Sequence, residues 1–150
     1  MGIRRRAREL ALQFLYQYDS LKESSADSED VEELLLLFWD SNGLSLEGDT
    51  KEFTSTLVRG SCSNLTYIDG IISSYSEHWR LTRMSTIDRN ILRIAIYELL
   101  YLSNIPPPVT IDEAVELGKK FGAEESGSFV NGILDKIRVA QEKGDFSNDK

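Results

Sequence analysis

Cysteine and histidine are nearly absent from this 150-residue sequence, which contains one of each, Cys62 and His78. Transition-metal sites are built from several such ligands, so we expect no dedicated metal site. A single cysteine excludes an internal disulfide and is typical of a reducing compartment. A nucleophile activated by a histidine base would have to use His78, which no recognised motif flanks.

Long apolar runs are absent as well. The longest extends from residue 34 to residue 39, whereas a membrane span needs about 20 apolar residues. The apolar stretch after the N-terminal arginines is interrupted by Glu9, Gln13 and Asp19, too often for a signal peptide. A transit peptide is the remaining alternative at this end. We predict a cytoplasmic protein without a membrane span.

Signatures of catalysis are missing too. The glycines are scattered and form neither a phosphate-binding loop nor a dinucleotide-binding fingerprint. The adjacent carboxylates Glu32-Glu33 and Glu124-Glu125 lie beside predicted helix ends or on polar faces, where solvation accounts for them. We therefore expect no enzymatic activity and no cofactor.

Negative charge predominates, but it is unevenly distributed. The formal net charge is −8, which by itself argues against a nucleic-acid ligand. However, residues 1–22 carry five basic and two acidic side chains, whereas residues 23–52 carry ten acidic and one basic. Exposed charges more than about 10 Å apart are largely screened at physiological salt, so a basic patch can bind phosphates on an acidic protein. A solubilising helix end explains the same arginines equally well.

Helical periodicity dominates the sequence and predicts an all-α fold of about seven helices. Apolar residues recur at helical spacing from Ile3 to Leu21 and again from Val31 to Trp39. Between residues 49 and 72 the pattern predicts two helices or one bent helix, with the break at Gly60 or Asn64.

A helix that is apolar on most sides is predicted to start at Ser85 and Asp88 and to continue to Leu102. Such a helix is usually the buried centre of a domain. The three prolines at 106–108 are expected to end it, because proline supplies no backbone donor.

Two further helices are predicted after the prolines. Thr110 and Glu113 indicate a capping box for a helix to Lys120, and Gly122 is expected to form a left-handed cap. The last helix is predicted from about Ser126 to Ile137.

Three stretches carry a resemblance to a known family. They are residues 4–16, which begin Arg-Arg-Arg-Ala-Arg-Glu-Leu-Ala; residues 88–99, Asp-Arg-Asn-Ile-Leu-Arg-Ile-Ala-Ile-Tyr-Glu-Leu; and residues 105–135, with Glu-Ala-Val-Glu-Leu, Phe-Gly and Phe-Val-Asn-Gly-Ile-Leu-Asp. In this order and spacing they resemble the NusB family of transcription antitermination factors. The resemblance spans residues 4–136 and is weakest between Lys22 and Thr50.

The resemblance implies an all-α fold of two small packed helical bundles. It implies a NusB-like RNA-binding domain over residues 1–143, and the composition of residues 144–150 predicts a polar C-terminal tail. It also implies a factor that pairs with NusE, a small-subunit ribosomal protein, and binds single-stranded boxA RNA in ribosomal RNA transcripts. Acting in the transcription elongation complex, such a factor lets RNA polymerase read through terminators.

The resemblance further implies which side chains contact these ligands. RNA contacts fall on Arg4, Arg5, Arg6, Arg8, Lys119, Lys120, Phe129 and Asn131. NusE contacts fall on Tyr16 and Asp88. Other interpretations exist, because lysines suit the carboxyl end of a helix and phenylalanine is commonly a core residue. Asn131 followed by Gly132 lowers helix propensity, which suggests close packing or a contact.

Two positions depart from the family pattern. Gly118 replaces the usual alanine, which costs up to ~1 kcal/mol of helix stability unless a neighbour packs closely there. Ser128 replaces a residue that is often basic, so one phosphate contact is expected to be missing. On the central helix, Arg89, Arg93 and Tyr97 are expected to make contacts within the protein.

Two rival functions fit less well. One is a relative of the RNA-targeting domain that precedes the catalytic part of some ribosomal-RNA cytosine-5 methyltransferases, but we expect a free-standing factor without a methyltransferase part. The other is a protein-interaction module or homodimer, in which the basic helix start is buried against acidic residues between Glu23 and Glu52. RNA binding predicts an affinity that falls steeply with salt, whereas a protein-only module predicts no RNA binding.

Overall fold

A computed structural model of the protein describes residues 2–24, 30–42, 48–76 and 83–146. These ranges contain seven α-helices and no strand, which confirms the predicted all-α fold. The helices are α1 (Ile3–Ser24), α2 (Val31–Asn42), α3 (Gly48–Ser63), α4 (Leu65–Tyr75), α5 (Thr86–Tyr101), α6 (Pro107–Phe121) and α7 (Ser126–Glu142). The chain divides into two compact units, Met1–Ser63 and Asn64–Lys150. His78 lies outside the described residues.

In the first unit, α1 packs along α3 through the apolar face that the sequence predicts. Helices α1 and α3 are in contact, and Leu10 on α1 and Leu57 on α3 are among the fully buried side chains of the unit. The hydroxyl of Thr54 is also buried and lies 3.3 Å from the carbonyl oxygen of Ala7, so it ties the two helices together by a hydrogen bond. This packing fixes the start of α1 against the start of α3.

The second helix of this unit is longer than its pattern predicts, since α2 continues past Trp39 to Asn42. Its Phe38 ring packs edge-on against the ring of Phe14, with 5.5 Å between centroids. The following helical region consists of two helices, and the break between α3 and α4 lies at Asn64.

In the second unit, α5 is the buried central helix that the sequence predicts, with α4, α6 and α7 packed against it. Its apolar side chains are buried nearly all around the helix, and they include Ile91, Leu92, Ile94, Ala95, Ile96 and Leu99. The predicted start is confirmed because the Ser85 hydroxyl accepts a hydrogen bond from the backbone N–H of Asp88, at 3.0 Å.

The charged residues of α5 are largely satisfied inside the unit. The guanidinium of Arg93 donates two hydrogen bonds of 2.8 Å to the carboxylate of Asp69 on α4, and a third of 2.9 Å to Asn90. This confirms the expected internal contact for Arg93. Glu98 is 1% exposed and accepts a 2.9 Å hydrogen bond from the hydroxyl of Thr110.

The prediction for the start of α6 was wrong. Helix α5 ends at Tyr101, and the prolines instead begin α6, with Pro106 as its N-cap and Pro107 as its first residue. Proline is tolerated there because the first N–H groups of a helix have no intrahelical acceptor. Thr110 therefore lies inside the helix, and its hydroxyl bonds to Glu98 instead of forming a capping box.

The two glycines of the α6 end serve close packing. Gly122 has φ −96° and ψ −166°, so the predicted left-handed cap was wrong. A Cβ at Gly122 would lie 2.6 Å from Ser126 Cβ and 2.8 Å from the Gly118 carbonyl oxygen, which leaves no room for a side chain. At Gly118, a Cβ would lie 3.1 Å from the backbone nitrogen of Gly127. The close neighbour that would justify a glycine at position 118 is therefore present.

None of the helices in the described ranges combines the length and apolar character needed to span a membrane. Within the same ranges, no cluster of three or more histidine, cysteine, aspartate or glutamate side chains could hold a metal ion.

Candidate RNA and partner surfaces

The basic start of α1 presents three of its four arginines to solvent. Arg4, Arg5 and Arg6 are exposed, whereas Arg8 is only 4% exposed. The first turn of α1 contains no acidic residue, so the helix dipole and the arginines both make this end positive. Such a surface attracts phosphates. The burial of Arg8 favours a supporting position, and its contact with RNA stays a prediction.

Phe53, on α3, lies close to the guanidinium groups of two of these arginines. The guanidinium carbon of Arg4 lies 4.8 Å from the centroid of the Phe53 ring, and that of Arg8 lies 5.6 Å from it. Both distances are within the range of a cation–π interaction. Phe53 could not be identified from the sequence as part of the site, since its contact with the arginines depends on how α1 packs against α3.

Arg6 forms an ion pair with a residue of the same helix. Its Nη1 lies 3.7 Å from Oε1 of Glu9, a residue that is 8% exposed. A guanidinium has five N–H donors, so this one contact leaves Arg6 with donors for a phosphate.

The lysines near the end of α6 are also exposed. Lys119 Nζ lies 3.6 Å from Glu116 Oε2, and Lys120 Nζ lies 5.4 Å from the ring centroid of Phe121. Both lysines occupy the last turn of α6, where a cation stabilises the helix dipole. Their positions are therefore compatible with helix stabilisation and with a phosphate contact.

Asn131 and Gly132 lie on an exposed face of α7. A Cβ at Gly132 would meet no atom within 4 Å. The sequence suggested two explanations for this pair inside a helix, close packing and a ligand contact. The open space at Gly132 excludes close packing. The pair is left as a candidate contact with a ligand.

Phe129 and Asp88 share one cavity of the second unit. The cavity measures about 140 Å³. Its lining comprises Arg83, Met84, Ser85, Asp88, Ala123, Glu125, Ser126 and Phe129. One oxygen of Asp88, Oδ1, is buried and has no hydrogen-bond partner among the described residues. A residue predicted to contact RNA and one predicted to contact NusE are thus brought together, which the sequence did not indicate.

Tyr16 projects from α1 with 45% of its surface exposed. It lies ten residues beyond Arg6, which corresponds to about 15 Å along a helix. The first unit therefore separates its predicted partner residue from its predicted RNA residues. Exposed tyrosine is a common anchor in protein interfaces.

The two tyrosines near the end of α5 make contacts within the protein. The rings of Tyr97 and Tyr101 stack with 5.2 Å between centroids, and burial raises the pKa of both hydroxyls. Both therefore remain protonated at neutral pH. The Tyr101 hydroxyl donates a 3.2 Å hydrogen bond to Oδ1 of Asn64. The expected internal contact of Tyr97 is confirmed.

Comparison with known proteins identifies one family. A family model described as "NusB family" matches residues 5–138. The transcription antitermination protein NusB of Desulforapulum autotrophicum is 45% identical over 139 residues, which cover 93% of each chain.

Two solved structures have the same fold over nearly the whole chain. NusB of T. maritima superposes with a TM-score of 0.80 at 42% identity, covering 95% of this chain and 97% of that one. A chain from a crystal structure of antitermination factors NusB and NusE in complex with double-stranded RNA superposes with a TM-score of 0.77 at 30% identity, covering 93% and 98%. The names of these relatives are those of antitermination factors and not of enzymes, in agreement with the sequence analysis.

Proposed function

Because the chain belongs to the NusB family, we propose that it is a transcription antitermination factor that pairs with NusE and binds single-stranded boxA RNA in ribosomal RNA transcripts. In this role it acts within the transcription elongation complex and promotes read-through of terminators by RNA polymerase. The proposal places the protein in the cytoplasm, the reducing compartment that its single cysteine fits.

The observation that carries the proposal is the exposed cationic start of α1. Arg4, Arg5 and Arg6 are concentrated in a single turn, with the positive end of the helix dipole behind them. Since the chain as a whole is acidic, this concentration is not a by-product of its composition. A cationic surface beside exposed amide and aromatic side chains is the usual means of holding single-stranded RNA.

In the second unit, Lys119, Lys120 and Asn131 supply further RNA contacts under this proposal, with Phe129 as a stacking platform. The open space at Gly132 supports the assignment, because it leaves the backbone of α7 accessible to a ligand. Tyr16 and Asp88 supply contacts with NusE. The position of Asp88 in the lining of the cavity of about 140 Å³ supports this assignment, because the cavity is open to a partner.

The proposal is tested by fluorescence anisotropy of a labelled boxA-like RNA, titrated with the protein alone and with NusE. We expect NusE to strengthen binding, and Arg5→Ala combined with Arg6→Ala to weaken it about tenfold. The control is Arg59→Ala combined with Lys143→Ala, which removes the same charge from residues outside the predicted site. Absence of binding with and without NusE, in a protein that circular dichroism shows to be folded, would contradict the proposal in favour of a protein-interaction module.

A further inference from the structure

An open cavity of about 450 Å³ lies beside the exposed arginines of the first unit, between the start of α1 and the start of α3. Its lining consists of Ile3, Arg4, Asp49, Glu52, Phe53 and Thr56. No residue in this set except Arg4 was predicted from the sequence to contact a ligand. The volume lies within the range of small-molecule sites.

The charge of the cavity does not suit a phosphate. One guanidinium faces two carboxylates, Asp49 and Glu52, which gives a formal charge of −1. Neither carboxylate forms an ion pair or a hydrogen bond through its side chain with any residue that the structure describes. A phosphate entering here would meet two carboxylates of like charge and only one guanidinium.

The cavity does suit an aromatic ring with hydrogen-bond donors. The Arg4 guanidinium carbon lies 4.8 Å from the centroid of the Phe53 ring, and Arg4 is exposed, so the lining places a solvent-accessible guanidinium beside an aromatic ring. Nucleobases stack on arginine planes and aromatic rings in single-stranded RNA complexes. Ionised carboxylates only accept hydrogen bonds, so the base must present N–H groups to them.

We propose that this cavity is a nucleobase subsite of the RNA surface and that it selects guanine. The Watson–Crick edge of guanine carries two adjacent donors, N1–H and the N2 amine, which fit the two oxygens of one carboxylate. Uracil presents a single N–H between two carbonyl oxygens, which would be repelled by the carboxylate. In this arrangement Phe53 is a positioning residue that holds Arg4, the guanidinium stacks on the base, and Glu52 reads its edge. The inference rests on the proposed RNA-binding function.

The acidic residues of the cavity can also be explained by helix stabilisation, and the test must distinguish this effect from base recognition. Asp49 lies in the first turn of α3, where a carboxylate stabilises the helix dipole. Glu52 lies one turn further on and gains less from that effect. A substitution at Glu52 therefore tests base recognition with little change in helix stability.

The experiment compares three labelled 12-nucleotide strands: all uridine, uridine with one central guanosine, and uridine with one central inosine, which lacks the N2 amine. Anisotropy titrations are made in the presence of NusE. We expect the guanosine strand to bind about tenfold more tightly than the inosine strand, the discrimination typical of one well-placed base contact. In Glu52→Gln this ratio should fall to about one, whereas in Glu33→Gln, an exposed control on α2, it should be retained.

The ratio is the readout because loss of any carboxylate strengthens the binding of all strands through charge alone. A second variant, Phe53→Leu, should weaken the binding of the guanosine strand several-fold, and Phe53→Tyr should restore it. A guanosine-to-inosine ratio near one in the wild type, or one that Glu52→Gln leaves unchanged, would overturn the subsite while RNA binding itself stands. Failure of every strand to bind would overturn both the subsite and the proposed function.

Discussion

The start of α1 in the first unit and helix α5 in the second use arginine in opposite ways. At the start of α1, in the first unit, three arginines are exposed, and one of them rests on the face of Phe53. On α5, in the second unit, Arg93 is buried and locked by two hydrogen bonds to Asp69. The first arrangement leaves N–H donors for a ligand, and the second uses them within the protein.

This difference shows that arginine content alone does not locate an RNA surface. Arg5 and Arg93 are both helical and both lie within the stretches that resemble the NusB family. Their positions differ because α1 begins at the edge of its unit, whereas α5 is enclosed by three helices. A buried guanidinium needs a paired carboxylate, which explains why Asp69 accompanies Arg93.

The largest effect is expected from breaking the buried pair. Asp69→Ala leaves the Arg93 guanidinium without its carboxylate while only 7% of its side chain is exposed. We expect the free energy of unfolding to fall by about 3 kcal/mol, measured by urea denaturation. The matched control is Glu32→Ala, which breaks an equally well-formed pair with Arg59 that is more than half exposed. Equal losses in both variants would contradict the distinction between the units.

The next effect concerns the close packing of α6 and α7. In Gly122→Ala, the added Cβ would collide with Ser126 and with the carbonyl of Gly118, which we expect to cost about 2 kcal/mol of stability. Gly132→Ala, where the space is open, should instead stabilise the protein by up to ~1 kcal/mol through helix propensity. The melting temperatures of both variants check this. An unchanged melting temperature in Gly122→Ala would contradict the close packing of α6 and α7.

A smaller effect, on binding only, is expected at the exposed Tyr16 of α1. Tyr16→Ala should lower the affinity for NusE about tenfold, because truncation of an exposed aromatic anchor removes contact area. Its free energy of unfolding should change by less than about 0.5 kcal/mol, since the side chain is exposed. Isothermal titration calorimetry against NusE makes the measurement, with Gln17→Ala as the control. Unchanged affinity would remove Tyr16 from the predicted interface.

The smallest effect is a pH dependence in the first unit. The hydrogen bonds from Arg59 hold the pKa of the Glu32 carboxyl below its usual value. A carboxyl with a lowered pKa contributes stability above the pKa of its unfolded state, and that contribution disappears as pH falls through the folded pKa. Wild type should therefore be slightly more stable than Glu32→Gln at neutral pH, and the two should converge in acid. A difference in free energy of unfolding between wild type and Glu32→Gln that stays constant from pH 7 to about pH 3 would contradict this prediction.

Much of the fold follows from the sequence because helical periodicity is a local signal. The central position of α5 follows from its apolar pattern, and its start follows from Ser85 and Asp88. The start of α6 was misjudged although the sequence carries a signal for it, since proline is common at the first position of a helix. Thr110 and Glu113 have the spacing of a capping box, but the buried carboxylate of Glu98 competes for the Thr110 hydroxyl, and only the packing of α5 against α6 reveals it.

The candidate site was predictable to a different extent. The resemblance locates the exposed arginines, but it does not distinguish Arg8, which is buried, from its three exposed neighbours. The resemblance is weakest between Lys22 and Thr50, a segment that includes Asp49 and ends just before Glu52 and Phe53. They join the arginines through the packing of α1 on α3, which residue spacing cannot show.

The salt dependence of RNA binding, measured with NusE present, tests whether the exposed arginines of α1 hold RNA phosphates. The logarithm of the association constant should fall linearly with the logarithm of salt concentration. In Arg5→Ala combined with Arg6→Ala, the slope should be shallower by about 1.4, since each phosphate contact to a single strand contributes about 0.7. A slope equal to that of the wild type would show that these arginines do not contact the RNA and would contradict the account.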